Sequence, residues 1–151
     1  MIIDTTMLSR IQFGFTVGFH ILFPTFTIGL AVFLSIMEGI WLKTGNPIYL
    51  KICQFWTKIF ALTFGMGVVS GIVLAFELGT IFGPFINIAG GVIGALFVYE
   101  VLAAFFLEAG FLGVLLFGWD IVCPKLHYVA SIMVALGTLF SVLGLLSANY
   151  W

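Results

Sequence analysis

The chain has 151 residues, 63% of them hydrophobic and 7% charged, with a mean hydropathy of +1.30. A soluble domain carries about one-quarter charged residues, so no aqueous core accommodates this composition. The net charge of −1 offers no basic surface for nucleic acid, and long unbroken apolar runs exclude a transmembrane barrel, whose strands alternate.

The reading is therefore an all-α integral membrane bundle of four helices, one transmembrane domain over residues 1–151. A hydrocarbon layer of about 30 Å takes about 20 apolar residues to cross as helix. After a polar start with Asp4 and Arg10, the first span runs from about 11 to 42, longer than the membrane requires. Nothing in it resembles a cleavable signal peptide, so this helix is expected to stay in the product. Lys43 to Pro47 form a turn, and Tyr49 to Trp56 read as an interfacial segment. The second span covers about 58–78, and Gly79 to Gly90 read as a loop without Lys or Arg. A third span covers about 91–117, and a break with Pro124 and Lys125 precedes the fourth, about 126–150. Lys43, Lys51, Lys58 and Lys125 cluster at one side, against Arg10 at the other, which orients both chain ends outward, to the periplasmic side. Gly65, Gly67 and Gly71, with Gly110 and Gly113, fit close helix approach. Cys53 and Cys123 lie near polar breaks without metal-ligand spacing and read as free thiols.

The residues that need explaining are ionisable groups at membrane depth, each costing at least about 2.5 kcal/mol to insert. They are His20 in the first span and Glu100 and Glu108 in the third, with Glu38 and Glu77 nearer helix ends. Counting the rise of about 1.5 Å per residue from the outer ends of their helices puts His20 and Glu100 each roughly 14 Å deep. They are expected to face each other. Glu108 lies about 12 Å further in, offset by about 80°, so the two acids form a ladder on one broad face. Such a ladder suits proton transfer through ordered water, and the alternative is two protonated carboxyls that hydrogen-bond neighbouring helices. His20 sits among glycines and phenylalanines from Gly14 to Pro24, a setting for a haem ligand or for a hydrogen-bonded packing histidine. His127, beside Lys125, reads as interfacial.

Leu8-Ser9-Arg10-Ile11-Gln12-Phe13 followed by His20 resembles the start of subunit I of cytochrome bd-type quinol oxidases, nearest the cyanide-insensitive branch. The likeness continues through Phe55 to Phe60, Gly65 to Gly71, Glu100 with Ala104 to Glu108, Phe117 to Asp120, and Ala148 to Trp151. The resemblance implies the N-terminal portion of a respiratory oxidase subunit in the bacterial cytoplasmic (inner) membrane, oxidising quinol and reducing dioxygen. It implies His20 as axial ligand to the iron of a high-spin haem, b-type or d-type. It also implies Glu100 and Glu108 as proton-delivering carboxylates. Arg10 and Lys58 match basic residues suited to haem propionates or buried acids. Membrane lipid, the remainder of subunit I and a second subunit are the implied partners, and further haems belong to parts of the subunit absent here. The sequence departs from the family at Ala109, where serine is common, at Ile81-Phe82, and at Glu77, where glutamine is expected. Two other readings stay open: a haem-free membrane protein serving packing, assembly or proton conduction, and a non-functional truncated fragment.

Overall fold

The computed structural model describes residues 4–100, 102 and 106–150. The described residues form five helices: α1 (Thr5–Thr44), α2 (Pro47–Thr80), α3 (Gly83–Tyr99), α4 (Phe106–Phe117) and α5 (Pro124–Tyr150). α1, α2 and the Pro124–Gly144 part of α5 are long and apolar enough to cross a membrane. Ile88 is 84% and Phe15 74% exposed, as are many other large apolar side chains to lesser degrees. In water such a surface would aggregate; in lipid it is the solvated face. The chain is a multi-pass membrane protein.

Local chemistry sets the helix ends. Gly45 closes α1 at φ 68°, a left-handed position that glycine enters without a Cβ clash, and its N–H donates to the Trp41 carbonyl. One residue on, Asn46 caps α2 by accepting from the Ile48 N–H at 3.0 Å, with Pro47 in the first turn, where its missing N–H costs nothing. This tight turn makes α1 and α2 an antiparallel pair, and α5 packs against both α1 and α4.

The structure departs from the sequence expectations at four places. Tyr49 to Trp56 are a continuous part of α2 rather than a separate interfacial segment, because Asn46 and Pro47 start the helix earlier. The stretch expected as a loop from Gly79 to Gly90 is mostly helical, since Pro84 sits comfortably in the first turn of α3 and the chain reverses within 81–82. Within the expected third span, α3 and α4 flank Glu100 and Leu102, which are π-helical, and residues 101 and 103–105 lie outside the described residues. Such wide turns often occur at functional sites. Third, among the glycines, Gly67 and Gly71 do stand close to neighbours, Phe23 and His20 respectively, whereas Gly65, Gly110 and Gly113 face open space. The fourth departure is His127, which is buried at 1% exposure rather than interfacial. Of the fragments that carry the family resemblance, Ala104, Phe105 and Trp151 lie outside the described residues.

The dry core sits between α1, α2, α4 and α5, built from Leu30, Ala31, Leu34, Cys53, Phe60, Leu115 and Val134. It separates two polar regions, one around His20 and one around His127.

Candidate functional site

His20 on α1 faces Ser70 on α2, with Nδ1 and Oγ 2.9 Å apart. The Ser70 hydroxyl proton is already engaged by the carbonyls of Met66 at 2.9 Å and Gly67 at 3.0 Å. A hydroxyl has one proton, so the imidazole must be the donor, Nδ1–H to Ser70 Oγ. Nε2 then keeps its lone pair. A serine one helix away thus fixes the tautomer that a metal-ligating histidine needs. Gly71 brings α2 close: a Cβ there would stand 3.0 Å from His20 Cε1. Pro24, one turn after His20, has no N–H to give the His20 carbonyl, so the helix is also loosened at this level.

His20 lines a cavity of about 440 Å³ together with Pro24, Phe64, Gly67, Gly71, Phe97, Glu100, Glu108, Thr138 and Ser141. The volume falls within the roughly 300–1,000 Å³ of ordinary ligand sites, and the walls are mainly apolar with a few converging polar groups, as in such sites generally. The three ionisable residues singled out by depth therefore meet in one space. Glu100 Oε1 accepts from the Ser141 hydroxyl at 3.0 Å, which anchors it to α5. Glu108 is 8% exposed, and its Oε1 has no partner among the described residues. An orphaned buried polar atom costs about 1–3 kcal/mol, so a water or a bound group is called for at that oxygen. Arg10 and Lys58 are exposed and lie apart from this cavity. No cluster of three or more His, Cys, Asp or Glu with metal-holding geometry occurs among the described residues. A single axial histidine beside an apolar cavity needs none, because a porphyrin brings its own four nitrogens.

Three further polar sites escaped the sequence reading. Glu38 and His127 pair at 2.6 Å across α1 and α5, each about 1% exposed. His127 Nε2–H donates to the Leu115 carbonyl of α4 at 3.3 Å, and the Trp119 ring lies tilted against the imidazole, with centroids 3.9 Å apart. At the opposite end, Glu77 Oε1 accepts from Gln12 Nε2 and Thr16 Oγ1, both at 2.9 Å. Thr57, deep in the dry core, carries a hydroxyl without a partner among the described residues. The only sequence signal for the first two sites is a carboxylate inside an apolar helix. Cys53 and Cys123 are free thiols, as expected, the first buried and the second exposed.

Lipid-facing helices around a cavity that joins one histidine to two carboxylates define a membrane protein that gathers titratable groups in an apolar interior space. The chain belongs to the cytochrome bd terminal oxidase subunit I family, whose model matches residues 8–151. It is 40% identical over 148 residues to cytochrome bd-II ubiquinol oxidase subunit 1 of Escherichia coli K12, covering 98% of this chain and 29% of that protein. To cytochrome bd ubiquinol oxidase subunit 1 of Bacillus subtilis 168 it is 39% identical over 143 residues, 95% of this chain and 31% of the relative. The fold matches the structure of bd oxidase from Geobacillus thermodenitrificans with a TM-score of 0.90 at 31% identity, over 97% of this chain and 34% of the other. The chain thus spans under a third of the length of the curated relatives it matches.

Proposed function

We propose that this chain contributes to subunit I of a respiratory quinol:oxygen oxidoreductase, with His20 as axial ligand of a high-spin haem, b-type or d-type, and Glu108 and Glu100 as proton carriers. The observation that carries the reading is the His20–Ser70 contact of 2.9 Å at the wall of an apolar cavity, which leaves Nε2 as the free ring nitrogen. Gly67 and Gly71 keep that wall flat, and Phe64 and Phe97 give it aromatic cover. When bound, the haem supplies the redox-active iron through which electrons reach dioxygen.

The chain's own residues then have separate tasks. Ser70 orients the imidazole. Glu108, buried and with an unfilled oxygen, takes up a proton arriving by water from the inner side. Glu100, hydrogen-bonded to Ser141 on the same cavity, passes it toward His20. Arg10 and Lys58, exposed on α1 and α2, are assigned to haem propionates or acids supplied from outside these helices. Residues 1–151 act as a single transmembrane domain in the bacterial cytoplasmic membrane with both ends outward, since the lysines gather at the α1–α2 and α4–α5 turns. The remainder of subunit I, subunit II and membrane lipid are the proposed partners, and quinol and dioxygen are the substrates of the assembly.

In the complete oxidase, His20→Ala is expected to abolish the optical band of one high-spin haem while other haem bands persist; unchanged haem content and spectrum would reject the ligand assignment. Ser70→Ala tests the tautomer argument more gently. Losing the outer partner of a metal-bound histidine costs about 10–100-fold in affinity, so faster haem release on dilution in detergent is expected. Release at the parental rate would mean the Ser70 contact does not orient the ligand.

A further inference from the structure

Unpaired positive charge collects at one end of the bundle, where α1 turns into α2 and α4 into α5. From Gly39 to Lys58 the sequence holds Lys43, Lys51 and Lys58 and no Asp or Glu, and Asp120 is the single acid from Gly118 to Tyr128. Lys43, Lys51 and Lys125 are exposed, and none of them forms an ion pair among the described residues. Trp41 and Tyr49, both partly exposed at this end, are residue types that settle at the headgroup level of a bilayer.

The packing of α1 on α5 brings two of these lysines to one place. The helices run antiparallel, as Ser35 against Ser131 and Glu38 against His127 show. The same seam continues with Gly39 against Tyr128: a Cβ on Gly39 would stand 2.9 Å from the Tyr128 hydroxyl oxygen, so glycine is what lets the phenol end lie on α1. Lys43 is four residues past Gly39, and Lys125 is three before Tyr128. Residues at those spacings share a helix face, and both steps lead from the contact toward the helix ends. Lys43 and Lys125 therefore flank the Tyr128 hydroxyl, one from each helix. That hydroxyl makes no hydrogen bond among the described residues. Counted at about 1.5 Å per residue from the α1–α2 turn, Lys51 stands within about one helical turn of the same level, whereas Lys58 lies about 10 Å further along α2.

Two ammonium groups and a phenol O–H are all donors, and the set includes no carboxylate to repel an anion. Lysine meets phosphate as a point charge, and a hydroxyl adds a directed hydrogen bond to an anionic oxygen. We infer that Lys43, Lys125 and Tyr128 form a binding site for the phosphate of an anionic membrane phospholipid, with Lys51 adding charge at the same level. A lipid is the source of phosphate because the neighbouring surface is apolar, Leu42 at 36% and Leu126 at 52% exposure, and offers acyl chains a continuous face. The inference needs only a membrane-embedded bundle and is independent of the haem and proton roles proposed for His20, Glu100 and Glu108.

The complete oxidase, held in nanodiscs of equal parts phosphatidylglycerol and phosphatidylcholine, provides the test, with retained lipid counted by native mass spectrometry. Phosphatidylglycerol is expected to be retained in preference and to be released as salt rises. Lys43→Gln and Lys125→Gln should each lower its retention about fivefold, the effect of one basic residue near an anionic surface. Tyr128→Phe should lower it by less, and the paired Lys43→Arg, Lys125→Arg variant should keep it. Thermal midpoints in detergent check that each variant is folded. Equal retention of the two lipids by the parental oxidase, or parental retention in the paired glutamine variant, would overturn the inference. Release of the lipid by millimolar inorganic phosphate would reassign the site to a free anion and overturn it as well. So would a structure of the oxidase in which another segment of protein covers Lys43 and Lys125.

Discussion

Replacing Glu38 by alanine is expected to destabilise the protein by about 3–5 kcal/mol, the penalty for leaving one member of a buried ion pair without its partner. The partner left behind is His127, 1% exposed and 2.6 Å from the Glu38 carboxylate. Because Nε2–H is committed to the Leu115 carbonyl, the Nδ1–Oε1 contact contains one shared proton, and the pair is neutral whether that proton sits on nitrogen or oxygen. Removing the acid leaves an imidazole facing the apolar core of Leu34, Cys53 and Leu115. The loss should appear as a lowered midpoint of thermal unfolding in detergent. His127→Ala should cost a similar amount, since it also frees the Leu115 carbonyl and the face of Trp119. The double variant should lose clearly less than the sum of the two. Additive losses would show that the pair is not a coupled unit. The energetic consequence is topological: one imidazole ties α1, α5 and α4 together at the end of the bundle away from His20.

The second large effect is functional. Glu108→Gln keeps the shape of the side chain and removes its capacity to carry a proton, and a positioned acid–base group contributes typically about 10²–10⁴-fold to rate. Oxygen consumption by the complete oxidase should drop by at least the lower bound of that range, with haem content retained. Glu100→Gln provides the comparison. Its carboxyl accepts from Ser141, a contact that an amide oxygen can also satisfy, so the fold should tolerate the change equally well. Turnover unaffected by Glu108→Gln would leave its buried carboxyl with a packing role only.

These expectations place stability and chemistry in different layers of the bundle. The dry layer of Leu30, Ala31, Leu34, Phe60 and Val134 separates the Glu38–His127 clasp from the cavity that holds His20 and Glu108.

The sequence by itself determined the solvent and therefore the secondary structure: runs this apolar must satisfy their backbone groups internally in lipid, so helices were the only outcome. It also marked His20, Glu100 and Glu108, because an ionisable residue in an apolar run violates the composition around it, and counting helical rise brought His20 and Glu100 to one level with Glu108 below them. Tertiary structure alone decided what these groups meet. His20 is 50 residues from Ser70, and Glu38 is 89 from His127. No periodicity within one helix encodes a partner on another, which is why His127 read as interfacial beside Lys125 although it is buried. Local chain chemistry is written in spacing and capping residues; which side chains share a desolvated space is set by how the helices assemble.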